Sequence, residues 1–394
     1  MTGPARALPA TLVIDAGGLA DARARAGDPE FAAALAELRH EADAAAEATP
    51  LSVADKTASP SGDPHDYVSL SIYYWPDPST ADGLPYLSRD GQINPEIRDR
   101  ARYDAAKLIA MVRAVERLAL AAHLTGQARY ADAAARWLRT WYLDERTRMR
   151  PSMRYAQLIP GRQEPRGTGI MDSRQMMRVV DAAILLDGTP AWSGSDQSAL
   201  RSWFGELVDW LRTSPNGRLE DGAANNHACW YDAQLAVFAL FAGRAALARE
   251  TLANVAARRV IAQISEDGTQ PAELRRTRSY HYCVFNVLAL CVLGELGRRT
   301  GVDVWSAGGP RLRRAIDLLV PHAEDPSGWP DRPPAGVPHT PLEPALVRAA
   351  RAYPDAGYET VIARLARRLG PLDALRLRLN AFGDLGGAAS APPA

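Results

Sequence analysis

Asn226-His227-Ala228-Cys229-Trp230-Tyr231-Asp232-Ala233-Gln234-Leu235-Ala236-Val237-Phe238-Ala239-Leu240-Phe241-Ala242 reads as a helix that is apolar nearly all round beyond Asp232. A helix without a polar stripe has to be buried on every side. Tyr282-Cys283-Val284-Phe285-Asn286-Val287-Leu288-Ala289-Leu290-Cys291-Val292-Leu293-Gly294 reads the same way. Segments 244–264 and 98–125 instead carry Arg, Glu and Lys along one side, as outer helices do. Inner helices wrapped by outer ones imply an all-α fold, an incomplete (α/α) toroid or barrel of helical hairpins. A helical solenoid also stacks helix pairs, but no pair here repeats another in sequence.

Around these two segments the chain falls into pairs: 98–125 with 127–142, 172–187 with 197–213, 226–242 with 244–264, 281–299 with 310–321, and 341–352 with 357–368. Gly126, Gly188, Gly243 and Gly301 stand at or just past helix ends, where a left-handed residue is favoured. A first helix is expected at 29–48. The stretch from 49 to about 95 is rich in Pro, Asp, Ser and Gly and holds Tyr73-Tyr74-Trp75-Pro76-Asp77-Pro78. It is too long for an ordinary connection, and its aromatic cluster argues for an ordered, functional loop. The expected organisation is a single catalytic domain over 1–385, with this loop at about 49–96 and a flexible tail at 386–394.

Composition excludes several classes. Lys plus Arg and Asp plus Glu both number 46, so the formal charge is zero, and no basic footprint for nucleic acid or a membrane surface is present. Three cysteines make no disulfide framework and show no CxxC spacing. The apolar run between Arg278 and Glu295 is too short and too polar to suggest a membrane span. No signal peptide is visible in residues 1–27. There is no HExxH, GxSxG, P-loop or GxGxxG, and nothing asks for a metal or a nucleotide cofactor.

Two segments carry chemistry. Glu220-Asp221-Gly222-Ala223-Ala224-Asn225-Asn226-His227 runs a polar loop into the first turn of an inner helix. Free N–H groups and the positive dipole end meet there, which suits an anion; a double-Asn cap before a core histidine is the plainer reading. Glu273-Leu274-Arg275-Arg276-Thr277-Arg278-Ser279-Tyr280-His281-Tyr282 opens the next inner helix. In a toroid both leading ends share one rim. An amide, an imidazole, a guanidinium and a phenol match β-elimination from a uronic acid. Arg and Asn stabilise the aci-carboxylate, each donor worth about 3 kcal/mol, while His or Tyr moves the protons. Tyr74 and Trp75 are candidates for stacking on sugars, and Arg166 and Arg174 for holding neighbouring carboxylates.

The chain resembles the alginate lyase superfamily of α/α-toroid polysaccharide lyases, and within it is most similar to polysaccharide lyase family 38. The residues carrying the resemblance include Tyr74-Trp75-Pro76-Asp77-Pro78, Gly83-Leu84-Pro85-Tyr86, Arg89-Asp90-Gly91 and Asn94-Pro95-Glu96. Further on come Tyr155-Ala156-Gln157, Arg166-Gly167-Thr168-Gly169-Ile170, Asp172-Ser173-Arg174, Asn225-Asn226-His227 and Glu273-Leu274-x-Arg276-Thr277-x-Ser279. The resemblance implies His227, Asn226, Arg276 and Tyr282 as catalytic residues, with Glu220 near the site; Asn225, Tyr280 and His281 are further substrate-binding candidates. Family 5 lyases carry Tyr-His in this segment, which would select Tyr280-His281 instead of Tyr282.

The implied substrate is an anionic polysaccharide, mannuronate-rich alginate or glucuronan, cleaved without a cofactor; resembling families are usually periplasmic or secreted. The competing functions are a glycoside hydrolase on an α/α barrel, which needs two facing carboxylates, and a non-catalytic sugar-binding protein.

Overall fold

The structure is a computed structural model and describes residues 10–330 and 339–381. The expected tail at 386–394 lies outside the described residues. Fifteen α-helices are described: α1 (Ala16–Ala24), α2 (Pro29–Glu47), α3 (Ala105–Thr125), α4 (Ala128–Leu138), α5 (Met176–Leu186), α6 (Gly194–Thr213), α7 (Pro215–Asp221) and α8 (Asn226–Phe241), then α9 (Ala245–Val255), α10 (Pro271–Leu274), α11 (Ser279–Thr300), α12 (Arg311–Leu319), α13 (Glu343–Ala352), α14 (Tyr358–Ala366) and α15 (Pro371–Arg378).

The helices α3, α5, α8, α11 and α13 form an inner row, each packed on the next. The circuit returns through α15 to α2 and so back to α3. Helices α4, α6, α9, α12 and α14 lie outside α3, α8, α8, α11 and α13 respectively. This is the incomplete α/α toroid. Burial follows the sequence pattern: α11 is buried from Ser279 to Gly297, and nearly every residue of α8 is buried. By length and composition α11 is apolar enough to cross a membrane, more so than its charge-free run suggests, yet its apolar stretch is wholly enclosed by the protein.

The assignment of 98–125 to the outer layer needs correction. Residues 98–104 are not α-helical, and α3 belongs to the inner row. Its charges misled because they are buried in pairs: Lys107 lies 3.1 Å from Asp104, and Glu116 takes Arg178 of α5. The loop at 49–96 is likewise more structured than a bare connection. Strand β1 (Val68–Leu70) pairs in parallel with β4 (Tyr155–Leu158), and β2 (Tyr74–Trp75) pairs antiparallel with β3 (Leu87–Ser88). Val68, Leu70, Tyr86, Ile97, Tyr103 and Ile159 give this platform a small core of its own, separate from the main one.

Candidate active site

Because the inner helices α3, α5, α8 and α11 all begin at one end of the toroid, their first turns and the β platform enclose a cavity of about 580 Å3. Ala105 and Leu108 of α3, Thr168–Gln175 leading into α5, Asn226 and His227 of α8, and His281, Tyr282 and Phe285 of α11 line it. Tyr73, Tyr74 and Asp90 close it from the platform. Its size is that of an ordinary ligand pocket.

Two glycines let the walls meet. A Cβ on Gly169 would fall 2.1 Å from the carbonyl oxygen of Ala156 in β4, and one on Gly167 would fall 2.7 Å from the backbone nitrogen of Glu220. The Arg166-Gly167-Thr168-Gly169 motif is therefore a close-approach segment, which presses the lead-in to α5 against both β4 and α7.

Asn225 caps α8, its Oδ1 accepting from the His227 N–H at 3.2 Å. His227 sits in the first turn, and its Nδ1 lies 2.7 Å from Oε1 of Glu220 at the end of α7. Glu220 is 3% exposed, so the carboxylate is committed to this bond. With a carboxylate as acceptor, Nδ1 carries a proton, and Nε2 is the ring nitrogen left for a ligand. Asn226 donates from its backbone and from Nδ2 to the two oxygens of Glu273, at 2.6 and 2.8 Å. Burial raises the Glu273 carboxyl above the usual range, against the pull of those two hydrogen bonds, His227 and Arg276.

Tyr282 is the centre of a second cluster. Its hydroxyl lies 2.9 Å from the Tyr73 hydroxyl and 2.9 Å from Nη2 of Arg276. Arg276 is in turn held by Asp90 at 3.0 Å, and Thr277 donates to the same carboxylate. Burial pushes the Tyr282 phenol far up, Tyr73 adds to that, and the Arg276 charge opposes it. For Arg276 burial works against the charged form, but Tyr282, Asp90 and Tyr73 outweigh it and hold the proton more tightly.

His281 also reaches the cavity, but its Nδ1 is taken up by Thr340, through N–H at 3.1 Å and Oγ1 at 2.9 Å. The ring stacks on Phe285, and burial, then Arg278, holds its pKa well below normal, so it is a neutral wall. Arg174 and Arg166 both line the cavity. Burial brings Arg174 down to about 10, against the nearby Asp172; its guanidinium covers Phe285. Arg166 bonds Thr168 at 3.0 Å and lies over the Tyr74 ring.

Two candidates are not brought to the cavity. Tyr280 packs against Trp329, His322 and His339 on the other side of α11. Residues two apart on a helix point about 200° away from each other, so Tyr282 and Tyr280 cannot share one wall. Trp75, next to Tyr74 on β2, faces the opposite side, where Nε1 bonds the Gln92 carbonyl and Arg89 covers the ring.

Sequence reasoning passed over Tyr73 as a partner of the phenol, Asp90 as the anchor of Arg276, and Gln157. Gln157 is a non-glycine residue at φ 48°, with Nε2 2.8 Å from a carboxylate oxygen of Asp172. Asp90 and Gln157 lie in motifs that carried the family resemblance; nothing in their spacing foretold the contacts. Asp172 also takes Tyr67 and Ser69, so this carboxylate on the cavity wall is already held by three side-chain donors. Among the described residues no group of three His, Cys, Asp or Glu forms a metal-holding cluster.

Comparison with known proteins agrees with this construction. The model of the family described as alginate lyase matches residues 51–329. An alginate lyase from Bacteroides ovatus is 35% identical, with 95% of this chain and 100% of that one covered at a TM-score of 0.89. Alginate lyase A1-III from Sphingomonas species A1 is 16% identical, covering 95% of this chain and 99% of its own, at a TM-score of 0.58. A variant of A1-III complexed with a tetrasaccharide is 15% identical, covering 95% of this chain and 97% of its own, at a TM-score of 0.58. No curated protein matches the chain. With the family match spanning the rim, the platform and both chemistry-bearing segments, the chain belongs to the alginate lyase family and is a polysaccharide lyase.

Proposed function

We propose that the cavity cleaves a 1,4-linked polyuronate, mannuronate-rich alginate or glucuronan, by metal-independent β-elimination with Tyr282 as the group that moves the proton. The observation that carries this reading is the phenol of Tyr282 held between Arg276 and Tyr73, in one cavity with Asn226 and His227. The similarity to the Bacteroides ovatus alginate lyase supports the substrate class.

In this reading the sugar carboxylate at the bond to be cut meets Asn226 and His227, at the positive end of α8. Neutralising it makes the C5 proton removable. The C5–H bond breaks, its proton passes to the ionised oxygen of Tyr282, and its electron pair becomes the C4=C5 double bond. The C4–O4 bond breaks with its pair on O4, which takes the proton back from Tyr282. No water is consumed. Mannuronate and glucuronate place H5 and O4 on the same side, so one tyrosine serves both steps. Arg276, donating to the phenol oxygen, favours its ionised form. Arg166, Arg174 and Tyr74 border the same cavity and are assigned to neighbouring sugar units.

An ultraviolet time course on polymannuronate, glucuronan, polyguluronate and hyaluronan tests the proposal. Absorbance from the conjugated double bond should grow with the first or second polymer. Cleavage with no absorbance would mean water uptake and a hydrolase; cleavage of polyguluronate alone would remove the one-tyrosine route.

A further inference from the structure

Asn226 and His227 open α8, whereas Arg276 and Tyr282 belong to the turn after α10 and the start of α11. Glu273 joins these two walls. It is 1% exposed and accepts from both donors of Asn226, the backbone N–H through Oε1 and the side-chain Nδ2 through Oε2. A carboxylate has acceptors only, so it permits one orientation of the Asn226 amide. The reverse orientation would set Oδ1 against carboxylate oxygen. The bonded orientation leaves the second Nδ2 proton and Oδ1 for a ligand, and Oδ1, though buried, makes no hydrogen bond to any described residue. Leaving a buried acceptor unmatched is costly in a finished core, which marks this oxygen as one whose partner arrives from outside the chain.

We infer that Glu273 is a positioning residue for the elimination, fixing the Asn226 amide so that its second Nδ2 proton meets the uronate carboxyl while Oδ1 accepts from a sugar hydroxyl, and holding that amide in register with Arg276 and Tyr282. The inference rests on the reading of Asn226 as the carboxyl-binding amide. Glu273 itself does not line the cavity, so it acts through Asn226. The isosteric Glu273→Gln places a donor where Oε1 or Oε2 stood, so that one of the two Asn226 donors loses its acceptor or the amide turns over. Neither change alters the size of the side chain.

The test is a double-mutant cycle on the full chain with polymannuronate or glucuronan, whichever the enzyme cuts, with kcat and KM measured separately. Glu273→Gln is expected to lower kcat at least tenfold while KM stays within about threefold. In an Asn226→Ala background the same substitution should cost nothing further. A purely structural contribution would instead lower kcat by the same factor in both backgrounds, and that result overturns the inference, as does wild-type kcat in Glu273→Gln. Should Glu273→Gln not fold, Glu273→Asp keeps the charge but is one methylene short of spanning both donors, and the same loss and the same cancellation are expected. Wild-type kcat in Asn226→Ala alone would sink the role given to Asn226, a different failure from that of Glu273.

Discussion

Arg276 touches Tyr282 twice: Nη2 lies 2.9 Å from the phenol oxygen, and the guanidinium carbon sits 3.9 Å from the centre of the ring. The second contact fixes the cation over the π face, and the first aims a proton at the oxygen that must carry negative charge. Burial opposes ionisation of this phenol, and Arg276 is the opposing influence.

The pH dependence follows from that balance. With its pKa raised, Tyr282 is a phenol at neutral pH, and the ionised fraction grows as pH rises toward the folded value. The rate should therefore climb from about pH 6 to about pH 9 rather than peak near the range of a free histidine. Arg276→Ala removes the charge that holds the phenol down, so the rise should move to still higher pH, by at least about one unit. Arg276→Lys keeps the charge and should move it less. Profiles of kcat/KM for the three proteins check this; a rate that falls as pH rises from about 6 to about 9 would contradict an ionised Tyr282.

The two tyrosines of α11 should separate cleanly. Tyr282→Phe removes the hydroxyl from the cavity and should lower kcat by a factor on the order of 1,000 or more, with the fold intact. The Tyr280 hydroxyl is buried without a hydrogen bond to any described residue, so Tyr280→Phe discards an unmatched polar group and should leave both kcat and the melting temperature unchanged or slightly improved. Ultraviolet turnover assays and thermal melts on the pair decide it. Loss of activity in Tyr280→Phe alone would mean that the wrong face of α11 has been taken for the site.

Glu220 is expected to act through His227. With the 2.7 Å bond in place, the imidazole is turned so that Nε2 is free. Glu220→Ala leaves the ring to choose its tautomer and rotamer and should reduce kcat roughly 10- to 100-fold, with Glu220→Gln, which can still accept from Nδ1, in between. NMR of the ring nitrogens gives a second check: Nδ1 protonation should be dominant in the parent protein and lost in Glu220→Ala.

Much of this was legible in the chain. Helices α8 and α11 announce themselves because no polar face is left for solvent, and the capping asparagines and the arginine-tyrosine run mark which end of each is chemically active. The layer of α3 was not legible, because a paired buried charge such as Lys107 or Glu116 looks in sequence like a solvated one. The facing of Tyr280 depends on Trp329 and His322, more than forty residues away, and that of Trp75 on a strand whose partner is β3. The Asp90–Arg276 contact spans the chain from the platform to the turn before α11 and has no local signal. Long-range pairing decides these cases, and periodicity reports only local structure.

The last prediction concerns the scaffold. Gly169 approaches β4 so closely that an added Cβ would meet the Ala156 carbonyl oxygen at 2.1 Å, the carbonyl carbon at 2.5 Å and the Ala156 Cβ at 2.7 Å. None of these is the movable tip of a side chain, so Gly169→Ala has to push the lead-in to α5 away from β4. That segment carries Asp172, Arg174 and Thr168, and the bond from Gln157 to Asp172 crosses the very interface that would open. The substitution should destabilise the protein by about 2–4 kcal/mol and lower activity in the fraction that still folds. Gly194 at the start of α6 has nothing within 4 Å of an added Cβ, so Gly194→Ala should change stability by less than about 1 kcal/mol. Denaturant titrations of both variants, with turnover measured on the folded protein, test it. Equal stability of the two would show that the α5 lead-in yields freely, and that its close packing on β4 does not hold the cavity wall in place.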